Sequence, residues 1–380
     1  MAGQIIPRGE RVWLVRVFLG RDPSTSKRRY HNHTIHGNKK DAEKYRNAVL
    51  RERDLGTFIE PSATTLGEYL DQWLETSKSR VTERTHTDYT DLLNRYIRPT
   101  IGNKRLSDIQ PLDIQNLYSD LQKRGLSART VRFTHSVLSS SFKQAVKWRM
   151  MIQNPASLVD LPKMVRKEML SLTPEQAKKF LEVAQADRFS VLFHFALITG
   201  MRPEEYLGLQ WKDVDLKKGV VAIQRTLLWK RGGGWNFGET KTPRSRRSIP
   251  LPTSLLRSLT EHHRKQAEER LKMGAEYQNY DLVFASHNGA PIMSRNLVRR
   301  HFKPVLKDAG IPKTFRLYDL RHSCATLLLA AQENPKVVSE RLGHANIILT
   351  LDTYSHVLPS MQQSASEKLE NIISFKVGTL

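Results

Sequence analysis

Apolar and polar residues alternate through ERVWLVRVFLG, with Trp13, Val15 and Val17 on one side and Leu14, Arg16 and Phe18 on the other. This two-residue period predicts a β-strand, then a turn at Arg21-Asp22-Pro23-Ser24 and a second strand from Arg28 to Ile35. The period then changes. Ala42, Tyr45 and Val49 stand at helical spacing and predict a helix from Lys40 to Leu55, stopped at Gly56. The opening is thus a small β-hairpin-plus-helix module, and PSATT at 61–65 is a linker.

From 66 to 150 the pattern is helical. The first helix carries Leu66, Tyr69, Leu70, Trp73 and Leu74. The second carries Tyr89, Leu92, Leu93 and Tyr96, and is expected to end before Pro99. The third starts at Pro111, suited to a first helical position, and runs to Gly125; the fourth carries Val131, Leu138, Phe142 and Ala145. Asn154-Pro155 through Pro162 breaks the pattern, and a basic linker covers 163–167. A larger mixed segment follows. Thr173-Pro174-Glu175 opens a helix through Ala184, and Phe189 to Ile198 is an apolar helix. Gly219–Thr226 and Arg244–Leu251 read as strands flanking a turn at Gly232-Gly233-Gly234, after which helices dominate to about 357. The expected class is multidomain α+β, with domains at 1–62, 65–160 and 168–380.

Composition narrows the function. The 380 residues are 39% hydrophobic, enough for real cores. Lys and Arg number 61 against 38 Asp and Glu, a formal net charge of +23. The basic residues recur along the chain, as at Lys27-Arg28-Arg29, Arg246-Arg247 and Arg299-Arg300, which suits a surface that wraps a long polyanion. No run approaches the roughly 18–20 apolar residues of a membrane span, and MAGQIIPRGERVW lacks a secretory apolar segment. The single cysteine, Cys324, excludes an internal disulfide framework and a multi-cysteine zinc site, and fits a reducing cytoplasm. His31, His33 and His36 lack the further ligands zinc would need and are expected on a strand surface.

Four segments could carry chemistry: TGMRPEE around Arg202, TKTPRSRRSIP after Lys241, YDLRH around Arg321, and LGHA with DTYSH, holding His344 and Tyr354. Asn334-Pro335 should start a short helix stopped at Gly343, with His344 just beyond. Taken singly, each residue has a plain structural explanation. Together, two arginines, a lysine, a histidine and a tyrosine can open a phosphodiester without metal. The tyrosine oxygen attacks phosphorus, the arginines hold the non-bridging oxygens, and lysine protonates the leaving oxygen.

These motifs, as TGMRPEE, TKTPRSRRSIPL, YDLRHSCATLLL and LGHANIILTLDTYSHV, resemble those of the tyrosine recombinases, in particular phage and conjugative-transposon integrases. The resemblance implies a mainly helical catalytic domain with a small antiparallel sheet, a helical core-binding domain and an arm-type DNA-binding module. It further implies Tyr354 as the nucleophile forming a 3′-phosphotyrosyl link, Arg202 and Arg321 as the phosphate clamp, Lys241 as the general acid, His344 as an assistant to the transition state, and Glu205 as a supporting acid. It implies no cofactor and no metal. The implied partners are double-stranded DNA at core and arm sites, a homotetramer on DNA, and an excision or host DNA-bending factor, with no membrane. One position departs: Tyr318 stands where the family has a histidine three residues before the second arginine. A phenol cannot hold positive charge, but it can donate a hydrogen bond to a phosphate oxygen or relay a proton, so Tyr318 is taken as a supporting residue and the base for Tyr354 is left open. His322 is a candidate replacement, although packing or backbone capping is its expected role. A type IB topoisomerase-like enzyme and a non-catalytic DNA-binding regulator of the same fold are the alternatives. Leu369, Ile372, Ile373 and Phe375 form an apolar patch near the end of the chain, for packing on its own domain or on a neighbouring protomer.

Overall fold

The computed structural model describes residues 3–22, 25–56, 58–59, 63–164, 169–230, 232–239, 246–354 and 360–373. The chain divides into two compact units, Met1–Arg166 and Lys167–Leu380.

The first unit opens with an antiparallel sheet of β1 (Gly3–Gly9), β2 (Val12–Arg21) and β3 (Arg28–His36), in that order. Strand β1 is additional to the predicted hairpin. It sets Ile5 opposite Val15, but its glycines and Pro7 hide the alternation. Helix α1 (Lys39–Asp54) is opened by a capping box between Asn38 and Asp41. Its Ala42 and Val49 share a small core with Val15 and Val17. Gly56, at φ +69°, ends the helix where the sequence placed the stop. His31 is not on the strand surface, as expected above, but buried. Its Nε2 lies 2.9 Å from the Tyr45 hydroxyl on α1, which also stacks on His33.

A second core in this unit is wholly helical: α2 (Leu66–Ser77), α3 (Glu83–Leu92), α4 (Arg98–Ile101), α5 (Pro111–Lys123) and α6 (Ala128–Lys147). Leu70, Leu93, Leu117, Leu138 and Phe142 meet in it. The helix at Tyr96 does not stop before Pro99. A π-helical turn at Leu93–Ile97 carries it through, with the Arg98 N–H bonded to the Leu93 carbonyl. The wider turn shifts the carbonyl that a proline ring would strike and removes the need for the missing N–H.

The second unit contains α7 (Pro174–Ala184), α8 (Ser190–Thr199) and α9 (Pro203–Leu207), then β4 (Val214–Asp215), β5 (Val220–Ile223), β6 (Arg225–Trp229), β7 (Trp235–Glu239) and β8 (Arg247–Pro250). The two expected strands do not flank the glycine turn. Strands β4, β5 and β8 form one antiparallel sheet, whereas β6 and β7 form a separate hairpin around the glycines. Helices α10 (Thr253–Met273), α11 (Ser294–Leu297), α12 (Lys303–Asp308), α13 (Asp319–Ala330), α14 (Pro335–Leu342), α15 (Ile347–Tyr354) and α16 (Ser360–Ile373) complete it. A π-helical turn at Val298–Phe302 again precedes a proline, Pro304. Helix α8 is the apolar centre, with Leu192, Phe193, Phe195 and Ala196 buried among Phe180, Phe284 and Phe302. The fold is therefore mixed α+β and mainly helical. Among the described residues no helix is long and apolar enough to cross a membrane.

Candidate active site

The site is built around the reversals that end α8 and α14, at Gly200 and Gly343. Helix α8 ends at Gly200, whose φ is +62° and whose missing side chain leaves room for Leu342 and Cys324; a Cβ there would stand 2.8 Å from Leu342 Cδ2 and 3.0 Å from Cys324 Sγ. The tight reversal turns the Gly200 carbonyl toward Arg321, whose Nη1 donates to it at 2.7 Å. Arg321 Nη2 donates to the Leu342 carbonyl at 2.6 Å. Arg321 thus lies in the first turn of α13, and its buried guanidinium grips carbonyls from two other elements. Burial, reinforced by the positive charge of Arg202, holds its pKa down at about 10, so it stays protonated near neutral pH.

Arg202 is the residue before α9. Its backbone N–H and its Nη1 both bond to Glu205, at 2.9 and 2.7 Å, and its Nη2 reaches the Gly343 carbonyl at 3.5 Å. The two arginines therefore bond neighbouring carbonyls at the end of α14. Glu205 is 2% exposed and accepts from a second guanidinium, that of Arg247, at 3.2 and 2.9 Å. Arg247 Nε also donates to the Arg341 carbonyl at 2.6 Å. Burial works against the Glu205 carboxylate, but the bonds and charges of Arg247 and Arg202 outweigh it and hold its pKa below the ordinary value. Three guanidinium groups thus gather around one carboxylate, leaving a positive excess suited to a phosphate. Gly343, at φ +65°, keeps space for Arg247, whose Nη1 lies 2.9 Å from where a Cβ would be.

Arg247 was no candidate in the sequence, yet its signal was present. In Arg247-Ser248-Ile249 the alternation of β8 places Arg247 on the same side as Ile249, which is buried.

His344 follows Gly343, as expected, and its backbone N–H closes the end of α14 on the Ser339 carbonyl. Its Nδ1 pairs with the Thr350 hydroxyl at 2.8 Å. Burial, then the charges of Arg321, Arg202 and Arg247, lowers its pKa to about 4. Tyr354 ends α15 and is 1% exposed, packed on Ala325, Leu329, Val338 and Leu342. Its hydroxyl is buried and lies 2.7 Å from Nδ1 of His322. Burial raises the phenol's pKa far above its ordinary value. Tyr318, just before α13, is 37% exposed, lies close enough to Arg202 to interact with its charge, and sets its ring edge-on to His322 at 5.3 Å.

His322 thus does more than pack or cap. The signal was its register: His322, Ala325 and Leu329 stand at i, i+3 and i+7 of α13, one stripe turned toward Tyr354. Arg202, Glu205, Arg321, His344 and Tyr354 are brought into one neighbourhood, with Tyr318 at its edge. Lys241 lies outside the described residues. Among the described residues no group of three or more His, Cys, Asp or Glu is placed to hold a metal.

Comparison with known proteins shows the family of the chain. Residues 171–361, half of the chain, match the phage integrase family, and residues 65–122 match the N-terminal SAM-like domain of phage integrases. A tyrosine recombinase XerC-like protein of Caldanaerobacter subterraneus subsp. tengcongensis is 30% identical across 97% of this chain and 98% of its own. The ICEBs1 integrase of Bacillus subtilis is 28% identical across 74% of this chain and 76% of its own. Among solved structures, a fragment of the Tn1549 transposon integrase in complex with a circular intermediate DNA superposes with a TM-score of 0.69 at 22% identity, over 80% of this chain and 99% of that one.

Proposed function

Given that this chain belongs to the phage integrase family and is a site-specific tyrosine recombinase, we propose that it integrates and excises a mobile element through a covalent link between Tyr354 and a DNA 3′-phosphate. The observation that carries the reading is the convergence of Arg202, Arg321 and His344 on the end of α14, with Tyr354 at the end of the next helix.

The steps follow from the groups present. Duplex DNA supplies the phosphate. Arg202 and Arg321 let go of the Gly343 and Leu342 carbonyls and bond the non-bridging oxygens, and the fixed forks of the guanidinium groups suit the five-coordinate phosphorus. Glu205, with Arg247 behind it, holds Arg202 in place and contacts no DNA. His344 donates to a phosphorane oxygen. Tyr354 Oη bonds to phosphorus, the bond to O5′ breaks, and Lys241 protonates the departing 5′ oxygen. The phosphotyrosine bond stores the energy of the broken linkage, so the strand is resealed on a new 5′-hydroxyl without ATP.

The domain roles are part of the proposal. Residues 1–62 bind arm sites, 65–160 bind core sites and 168–380 cut and rejoin, in a bacterial cytoplasm and with an excision or host DNA-bending factor. The working assembly is a homotetramer on two sites. Leu369, Ile372 and Ile373 on α16 are more than half exposed, as are Ile348 and Leu349 on α15, and such apolar surface suits burial against another copy. Phe375 lies outside the described residues. The test is to incubate the protein with the DNA flanking its own gene and sequence the products. Joints between two defined sites support the proposal; circles that are only relaxed, or no strand breakage, refute it.

A further inference from the structure

A phenol attacks phosphorus well only if its proton leaves. Burial holds the Tyr354 phenol strongly against ionising, so a partner must take the proton. The obvious groups are occupied. Asp319 accepts from the Arg316 backbone at 2.6 Å and from its guanidinium at 2.7 Å. Glu205 is held by Arg202 and Arg247. His344 commits Nδ1 to Thr350.

His322 is placed differently. Its Nδ1 is 2.7 Å from the Tyr354 oxygen, its residue is 7% exposed, and its ring stands between Tyr318 at 5.3 Å and Tyr354 at 5.8 Å. It sits on a rigid helix, one residue after Arg321, so one backbone element positions both the phosphate clamp and the contact with the nucleophile.

We propose that His322 accepts the phenolic proton of Tyr354 during strand cleavage and returns it during rejoining. This rests on the reading of Tyr354 as the nucleophile. Proton acceptance uses the imidazole tautomer with its proton on Nε2, so that Nδ1 accepts from the hydroxyl. As the oxygen–phosphorus bond forms, the proton moves from Oη to Nδ1. As the bond to O5′ breaks, the leaving oxygen takes a proton from Lys241. When the 5′-hydroxyl of the incoming strand attacks, it returns its proton to Lys241, the bond from phosphorus to Tyr354 Oη breaks, and the phenol takes its proton back from the imidazolium.

Burial, with Arg321 and Arg316 reinforcing and Asp319 opposing, keeps His322 neutral with a pKa of about 4; His344, Tyr318 and Tyr354 are the other titratable groups around it. A neutral imidazole is the form that can accept. The negative charge growing on the phosphorane offsets the arginines and raises its basicity as the proton moves.

The test uses the full-length protein and a nicked suicide duplex, with single-turnover cleavage followed from pH 5.5 to 9. His322→Gln can still hydrogen-bond the hydroxyl but cannot take its proton. Cleavage should fall by about 100-fold or more, and the residual rate should climb about tenfold per pH unit while wild type stays nearly flat. A fluorinated tyrosine of lower pKa at position 354 should restore much of the loss in the variant and change wild type little. A loss under about threefold, a wild-type pH profile or faster cleavage overturns the proposal; the last would make the contact a latch. If His322→Gln fails to fold, fluorotyrosines at 354 in otherwise wild-type protein read the same step. A rate nearly indifferent to phenol acidity supports proton transfer to His322, and a rate that rises in proportion to it overturns it. Tyr354→Phe is run in parallel. Adduct formed there defeats the assignment of the nucleophile, whereas no adduct there beside normal cleavage by His322→Gln defeats only the role of His322.

Discussion

Replacing Arg247 by methionine removes a side chain that contacts no DNA in the proposed mechanism, yet it should weaken the second unit severely. The substitution deletes two charge-assisted bonds to Glu205, at 3.2 and 2.9 Å, and one to the Arg341 carbonyl at 2.6 Å. The side chains of Arg247 and Glu205 are only 7% and 2% exposed, so water cannot take over. Taking one partner from a buried ion pair costs about 3–5 kcal/mol, a large share of the roughly 5–15 kcal/mol that hold a typical protein together. The cost should depend on pH in a defined sense. In wild type the Glu205 pKa lies below its ordinary value, so its contribution is present above that value and is lost as pH falls through the lowered one. Without Arg247, only Arg202 opposes burial and the pKa rises. The variant's deficit should then be full at pH 7 and shrink toward pH 4, as the carboxylate protonates. Urea titration with hydrogen exchange read on peptides from α8 and α13 isolates this unit. Adding Glu205→Gln should recover part of the loss, because the buried carboxylate that Arg202 alone would then offset is gone. A deficit below about 1 kcal/mol, or one constant from pH 7 to 4.5, would refute the reasoning.

Other outcomes follow from the same geometry. His322 and His344 are held neutral, with burial the largest cause, at pKa values of about 4 against an ordinary 6.5. The unfolded chain therefore binds more protons between those values, and the second unit should lose stability as pH drops from about 6.5 toward 4; a variant with both histidines changed to Gln should lose less, and an equal loss would contradict the burial argument. Lys241→Ala should impair cleavage strongly on normal DNA but much less when sulfur replaces the 5′ bridging oxygen, since that leaving group needs no proton; equal loss on both substrates would make Lys241 a phosphate contact only. Truncation after residue 358 should abolish assembly on paired sites while leaving binding to a single site; unchanged assembly would remove the docking role of α16.

Much of this architecture was legible because one period persisted over one face. Strand β2 alternated cleanly, and α1 and α14 carried their own stop residues, Gly56 and Gly343. What escaped notice had local causes. Strand β1 is interrupted by Pro7, and β6 reads RTLLW, with no polar alternation to mark it as separate from β5. Pro99 looked like an end because a π-helical turn is a property of backbone hydrogen bonding that side-chain spacing does not record. At the site, the motifs located the charged groups but not their partners. Arg247 looked like one more basic residue in a charged run, and only the strand's alternation, tied to the burial of Ile249, turns it inward. His322 needed the position of a helix more than twenty residues further along before its partner could be known.

The central claim is that one phenolic oxygen takes hold of the DNA. The most direct measurement traps the protein on a suicide duplex, digests both components and locates the attached nucleotide by mass spectrometry. The account predicts a single modified peptide bearing a 3′-phosphonucleotide on Tyr354, absent when Tyr354→Phe is used. A nucleotide attached to any other side chain, or a trapped complex that persists in Tyr354→Phe, would contradict it.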